Sequence, residues 1–228
     1  KDNIGYLTKE VLDKINKIIV GAGHDILDKR LVARLNVKTD SFVVESNVHY
    51  PTDSNLLLDA IRSIVNKTTK LCDKCGVTSW RQSAYRLRSL KNLMRKATSL
   101  KRSTSKDKDQ QEKRQLMIEI TYTNFISESK ILLEKSKSTL DKLPENDLMS
   151  TLEIGSILRF VSHAERQIEQ LYRRIILKES IPHNEKVFSV FEEYTEWLCK
   201  GKAGVPVELG LKVCISSDQH GFILTHQV

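Results

Sequence analysis

The chain has 228 residues, is 39% hydrophobic and carries a formal net charge of +8. That length suits one large domain or two small ones, and the apolar fraction excludes wholesale disorder. No apolar run approaches the roughly 18 residues that span a bilayer, so no membrane partner is expected. The chain opens on Lys1 with no apolar h-region, which implies no signal peptide and a reading frame that starts further upstream.

Residues 1–32 read as a helical segment. Thr8 can cap a helix over 8–28, on which Val11, Ile15, Ile18 and Ile19 recur at helical spacing. Gly21 and Gly23 weaken its far end. Residues 33–54 change period: Leu35, Val37 and Thr39 fall on one side, Phe42, Val44, Ser46 and Val48 on the other. Val, Phe and Thr at that spacing predict a strand. Asp40 sits in its middle, either as an edge-strand acid facing water or as a carboxylate able to hold a divalent metal if other acids approach it. Glu45, five residues on, falls on the opposite face of a regular strand. Residues 50–54 break the strand, and Asp53 or Ser54 can cap a helix running from about 55 to 75, stopped by Gly76.

Residues 55–180 read as an almost wholly helical insertion. Trp80, Ala84, Leu87, Leu90, Met94 and Ala97 form a first stripe, followed by a polar bend or solvated stretch over 103–109. Ile118, Tyr122, Phe125, Ser129, Leu132, Ser136, Thr139 and Leu143 then form a heptad-like seam with several polar members. A turn at 144–147, with Asp147 as cap, leads to a second seam on Ile154, Ile157, Val161, Ala164, Ile168, Leu171 and Ile175. So short a link predicts an antiparallel helical hairpin.

Residues 181–228 return to strand character. The stretch 186–198 is mixed and aromatic, 205–215 reads as a strand, 217–221 as a turn and 222–228 as a partner strand that is still running at Val228. A strand pair is rarely stable alone, so the early strand and the late hairpin are expected to share one sheet, continued beyond this sequence. The fold class is therefore α/β, mostly α by residue count.

Charge is concentrated. Residues 81–114 hold twelve Lys or Arg against three acids, a net of +9, which leaves the rest of the chain near −1. Such a stripe is either a solvated helix face or a surface for a polyanion, because neutralising phosphates releases counterions. Arg81, Arg86, Arg88, Lys91, Arg95, Lys96, Lys101 and Arg102 are the candidate phosphate contacts, with Arg86, Arg88, Lys91 and Arg95 leading. Lys200, Lys202 and Lys212 are further candidates, although lysines near a strand are usually just solvated. Cys72-x-x-Cys75 has zinc-knuckle spacing but no second pair of ligands follows, so reduced thiols in a cytoplasmic protein are expected. His49 reads as a packing or hydrogen-bonding residue, Asp53 as a cap, Trp80 and Trp197 as core anchors. No Gly-rich phosphate loop and no Ser-His-Asp arrangement is present, which disfavours nucleotide hydrolysis and acyl transfer.

The segment TDSFVVESNVHYPTDSNLLLDAIR, residues 39–62, resembles the first catalytic motif of insertion-sequence DDE transposases, whose core is RNase H-like. Between Asp40 and Ser54 every position except Phe42 matches, fourteen in all. The block over 181–228, with its TEW-x-x-KGK and VELG-x-KV elements, resembles the family's stretch before the second acid, and VTSWRQSAYRLRSLKNLMR, residues 77–95, matches more weakly. The resemblance implies a partial RNase H-like sheet interrupted by a long helical insertion. It also implies Asp40 as the first acid of the triad and as a metal ligand, and Mg²⁺ or Mn²⁺ as cofactor. The implied activity is cleavage and joining of double-stranded DNA at transposon ends, and a homodimer is compatible with it. The family's second acid and its Glu match no residue here, and Asp218 sits in a hairpin turn and fits neither. The chain alone is therefore expected not to cleave DNA. The competing reading is a non-enzymatic helical protein, DNA-binding or a coiled-coil scaffold. It lacks any reason for residues 35–48 to lie beside 205–228.

Overall fold

The computed structural model describes residues 7–26, 36–102, 105, 107–143, 148–199, 204 and 206–228. The chain divides into two compact units, Lys1–Val48 with Tyr194–Val228, and His49–Glu193. The first is built on a four-stranded, fully antiparallel sheet, the second on four helices.

In the sheet unit, helix α1 (Lys9–Ile26) is followed by strand β1 (Lys38–Glu45), and β2 (Glu196–Cys199), β3 (Val207–Ser217) and β4 (Ile223–Gln227) come from the far end of the chain. The early strand and the late hairpin do share one sheet: β1 pairs with β3 from Lys38↔Ser217 to Glu45↔Gly210. On the other edge of β3 lie β2, opposite its first half, and β4, opposite its second. β2 was not expected. Its four residues lie in the stretch that the sequence leaves mixed, and only β3 gives them a ladder.

Close approach of backbones explains the glycine of the VELG element. A Cβ on Gly210 would collide with the Val44 carbonyl oxygen and stand 2.7 Å from Val43 Cγ1. The chain leaves and rejoins the sheet at one place, where Thr195 Oγ1 donates to Ser46 Oγ at 2.9 Å. α1 rests on β4: Asn16 Nδ2 donates to the Ile223 carbonyl at 3.0 Å, and Gly23 makes room for the Phe222 ring. Thr8 caps α1 as expected. The stripe predicted on this helix is not a core, however, since no residue of α1 is buried and Ile18 is 71% exposed.

The turn between β3 and β4 is built by Asp218, which accepts from the N–H groups of His220 at 2.8 Å and Phe222 at 3.0 Å and pairs with His24 at 2.5 Å. Burial pushes its carboxyl up, but those two N–H groups and the His24 ring outweigh burial and hold it below the usual carboxylate range.

The helical unit comprises α2 (Asp53–Lys74), α3 (Ser83–Leu100), α4 (Lys108–Leu140) and α5 (Leu148–Ile175). α2 and α4 touch each other and both flanking helices. The cap of α2 is Thr52, whose Oγ1 accepts from Asn55 N at 3.2 Å, not Asp53 or Ser54. Asp53 instead occupies the first helical position and pairs with Arg174 at 2.5 Å, tying the start of α2 to the end of α5. Ser54 is buried against the Tyr122 hydroxyl. Gly76, with φ of +70°, follows the end of α2 as expected. All eight positions of the α4 seam are buried, and its polar members are accommodated locally: Ser129 and Ser136 donate to the carbonyls of Phe125 and Leu132, one turn back. α4 and α5 are antiparallel, with Lys137 paired to Glu165 and Glu119 to Lys178. Trp80 is a core anchor, 2% exposed, with Nε1 donating to Thr139 Oγ1 at 3.2 Å. Trp197 is only half-buried and Ala84 is exposed. The turn expected at 144–147 and its cap Asp147 lie outside the described residues. Among the described residues, no helix is long and apolar enough to cross a membrane.

Two outcomes follow. Gly210→Ala should destabilise the sheet unit by about 1–3 kcal/mol through overpacking against β1, read as a lower urea midpoint from Trp197 fluorescence. Asp218 has a depressed folded pKa, so its stabilisation is present above the usual carboxylate value and is lost as pH falls through its own lower one. Wild type should therefore lose more stability than Asp218→Ala as pH falls below the usual carboxylate value of about 4. Parallel pH profiles would remove Asp218 from that role.

Candidate nucleic-acid interface

α3 carries five cations, Arg86, Arg88, Lys91, Arg95 and Lys96, and no acid. No acid occurs anywhere between Asp73 and Asp107. At 100° per residue, Leu90, Met94 and Ala97 form the buried stripe of α3. Arg88 and Arg95, seven residues apart, lie opposite that stripe, flanked by Lys91 and Lys96. Arg81 and Arg102 continue the seven-residue spacing just outside the helix. All of these are exposed except Lys91, which is half-buried, and Tyr85 stands among them at 69% exposure.

These cations differ from several others of the helical unit in having no carboxylate partner. Elsewhere in the helical unit Lys74 is paired to Glu153, Arg159 to Glu193, and Arg173 to Glu169, Glu179 and Glu185. Among the described residues, the side chains of Arg81, Arg88, Lys91, Arg95 and Lys96 form no ion pair and no hydrogen bond. An unneutralised row of this kind suits a polyanion, where condensed counterions can be released.

Two of the sequence candidates point elsewhere. Arg86 is half-buried and close enough to Lys135 to depress its ammonium, after the larger effect of burial. Lys135 Nζ lies 4.3 Å from the centre of the Trp80 ring and donates to the Ser79 carbonyl. Lys101 Nζ lies 4.5 Å from the centre of the Tyr122 ring, on the bundle side of the helix end. Lys212 is exposed in the middle of β3, in the sheet unit. Lys200 and Lys202 lie outside the described residues. The seven-residue spacing of Arg81, Arg88, Arg95 and Arg102 was the signal in the sequence that separates the outward face from the inward one.

Asp40 is exposed on β1, and its Oδ1 accepts from Ser41 N at 2.8 Å. By strand alternation it shares a face with Phe42 and Val44, which are 41% and 50% exposed, and with Ile215 and His226 across the register. Glu45 is on the opposite face. Among the described residues, no group of three or more His, Cys, Asp or Glu could hold a metal ion. A divalent cation needs several oxygen ligands, so Asp40 alone does not make a Mg²⁺ or Mn²⁺ site, and no cleavage step is assigned to this chain. Cys72 is buried and Cys75 exposed, and both are free thiols.

One buried acid went unnoticed in the sequence. Asp59 is buried in α2, with His49 Nε2 at 3.3 Å and Arg62 Nη1 at 3.3 Å. Burial pushes its carboxyl up, and His49 and Arg62 offset only part of that. Through its contact with His49, Asp59 reaches the chain just before α2.

No protein-family model matches the chain, and no curated protein or solved structure matches it either.

Proposed function

We propose that this chain is the DNA-holding part of an insertion-sequence DDE transposase. In this reading the sheet is part of an RNase H-like core and the helical unit is its insertion. Asp40 is the first of three carboxylates that jointly bind Mg²⁺ or Mn²⁺ at transposon ends. The outward face of α3, with Arg88, Lys91, Arg95 and Lys96 at its centre, runs along the phosphate backbone of double-stranded DNA. Such contacts position the duplex and carry no sequence information.

The observation that carries the reading is the β1–β3 ladder. The two blocks that resemble the family lie far apart in sequence, yet Asp40 pairs with Ile215 and Glu45 with Gly210 of the VELG element. The fourteen-position match around Asp40 explains an acid in mid-strand that strand propensity does not. A helical DNA-binding scaffold is the second reading, favoured by one fact: the unpaired cations of the α3 row all belong to the helical unit. DNA binding then stands even if Asp40 has no catalytic role.

Duplex affinity measured against salt tests the interface. Arg88→Ala/Lys91→Ala/Arg95→Ala/Lys96→Ala should weaken binding and flatten the log–log salt slope by about 3 to 4, at roughly 0.9 for each phosphate no longer neutralised. Asp40→Ala should bind as wild type. An unchanged slope in the quadruple variant would sink the α3 assignment. In a complete transposase that carries the two later acids, Asp40→Ala should abolish Mn²⁺-dependent nicking, and equal nicking by both forms would remove its catalytic role.

A further inference from the structure

A second cationic feature of the helical unit is concave and lies off the outward face of α3. Where the C-terminal end of α3, the first turns of α4 and the C-terminal end of α5 converge, they enclose an open cavity of about 750 Å³. Among the described residues, its walls carry Lys101, Arg114, Arg174 and Lys178 and no carboxylate. Leu100, Ile118 and Ile175 supply apolar surface between them, and Ile118 and Ile175 are buried. The volume falls within the range of small-ligand sites.

The simplest account of such a cluster is that cations offset the partial negative charge at the ends of α3 and α5. That account covers Lys178, whose Nζ donates to the Ile175 carbonyl, and Lys101, which follows the last residue of α3. It does not cover Arg114, which lies in the second turn of α4, near the positive end of that helix. Nor does it require an apolar wall. Apolar atoms beside the cations lower the local dielectric and strengthen their pull on an anion. The carboxylates that pair with Arg174 and Lys178, Asp53 and Glu119, lie outside the lining. Two guanidinium groups offer planar forks that match phosphate oxygens better than a single carboxylate.

We propose that this cavity binds a phosphate-bearing ligand of mononucleotide size or smaller, held by Lys101, Arg114, Arg174 and Lys178. The site goes beyond the duplex-binding face of α3 and does not require it. Its phosphate comes either from a free nucleotide or from the 5′ end of a DNA strand.

Calorimetric titration of the full chain with inorganic pyrophosphate, with deoxyadenosine monophosphate, and with a short oligothymidylate bearing either a 5′-phosphate or a 5′-hydroxyl tests this. Saturable binding of pyrophosphate is expected, weakened about tenfold or more in Lys101→Gln and in Arg114→Gln, the scale of one lost charge-assisted hydrogen bond. Lys101 is exposed, so its variant keeps the test valid should Arg114→Gln fail to fold. Tighter binding of the monophosphate assigns the site to free nucleotides, whereas preference for the 5′-phosphorylated strand assigns it to DNA ends. No saturable binding of any probe, or variants that bind as wild type does, would overturn the proposal. The α3 quadruple variant should keep its pyrophosphate affinity. A chain that binds duplex but no pyrophosphate sinks this proposal alone, and the reverse result sinks only the duplex reading.

Discussion

Everything in the sheet unit depends on β3. Among the described strands it is the one that touches the other three, and it holds β1 along its full length although the two are separated by the whole helical insertion. Closing so long a loop is entropically unfavourable, by about 4–5 kcal/mol beyond a constant on the logarithmic scaling for a flexible chain. A folded insertion escapes much of this. The Thr195–Ser46 bond clasps the outgoing and returning chain, and the Asp53–Arg174 pair joins the first and last long helices of the bundle. Gly210 lets β1 come close enough for the ladder to form at that same end.

Two groups of charges stand out in the helical unit. In one, pairs such as Lys137–Glu165, Lys178–Glu119 and Arg174–Asp53 link side chains of different helices or of their ends. The other is left on the outside of α3, where no acid lies within reach along the helix. Mutual repulsion in such a row is mildly destabilising, and a polyanion relieves it. On the proposed function, the bundle serves as a mount for that face. Its core positions fix the orientation of α3, and the opposite face carries the charge.

Much of this was legible in the sequence because helical periodicity is a strong signal over long elements. The seams of α4 and α5 were readable residue by residue, polar members included, because Ser129 and Ser136 can satisfy their own hydroxyls and still fill a seam. β1 was readable from its β-branched run. What escaped depends on tertiary partners. β2 is four residues long and exists only because β3 offers it a ladder. The cap of α2 fell to Thr52, since the Asp53 carboxylate finds Arg174, a residue over a hundred positions away. A stripe count cannot tell that Val11, Ile15, Ile18 and Ile19 stay largely open, because burial needs a covering surface. The basic stripe was seen as one surface, whereas Arg86 and Lys101 turn toward the bundle and Arg88 and Arg95 away from it. Asp40 keeps the mid-strand position that its neighbours predict, but its role rests on the motif around it.

The claim that the outward face of α3 holds DNA is tested most directly by lysine acetylation footprinting, with and without duplex DNA, read by mass spectrometry. The account predicts that DNA slows modification of Lys91 and Lys96 and leaves Lys74 and Lys137, held in ion pairs, unchanged. Equal labelling of Lys91 and Lys96 with and without DNA, or protection confined to other lysines, would contradict it.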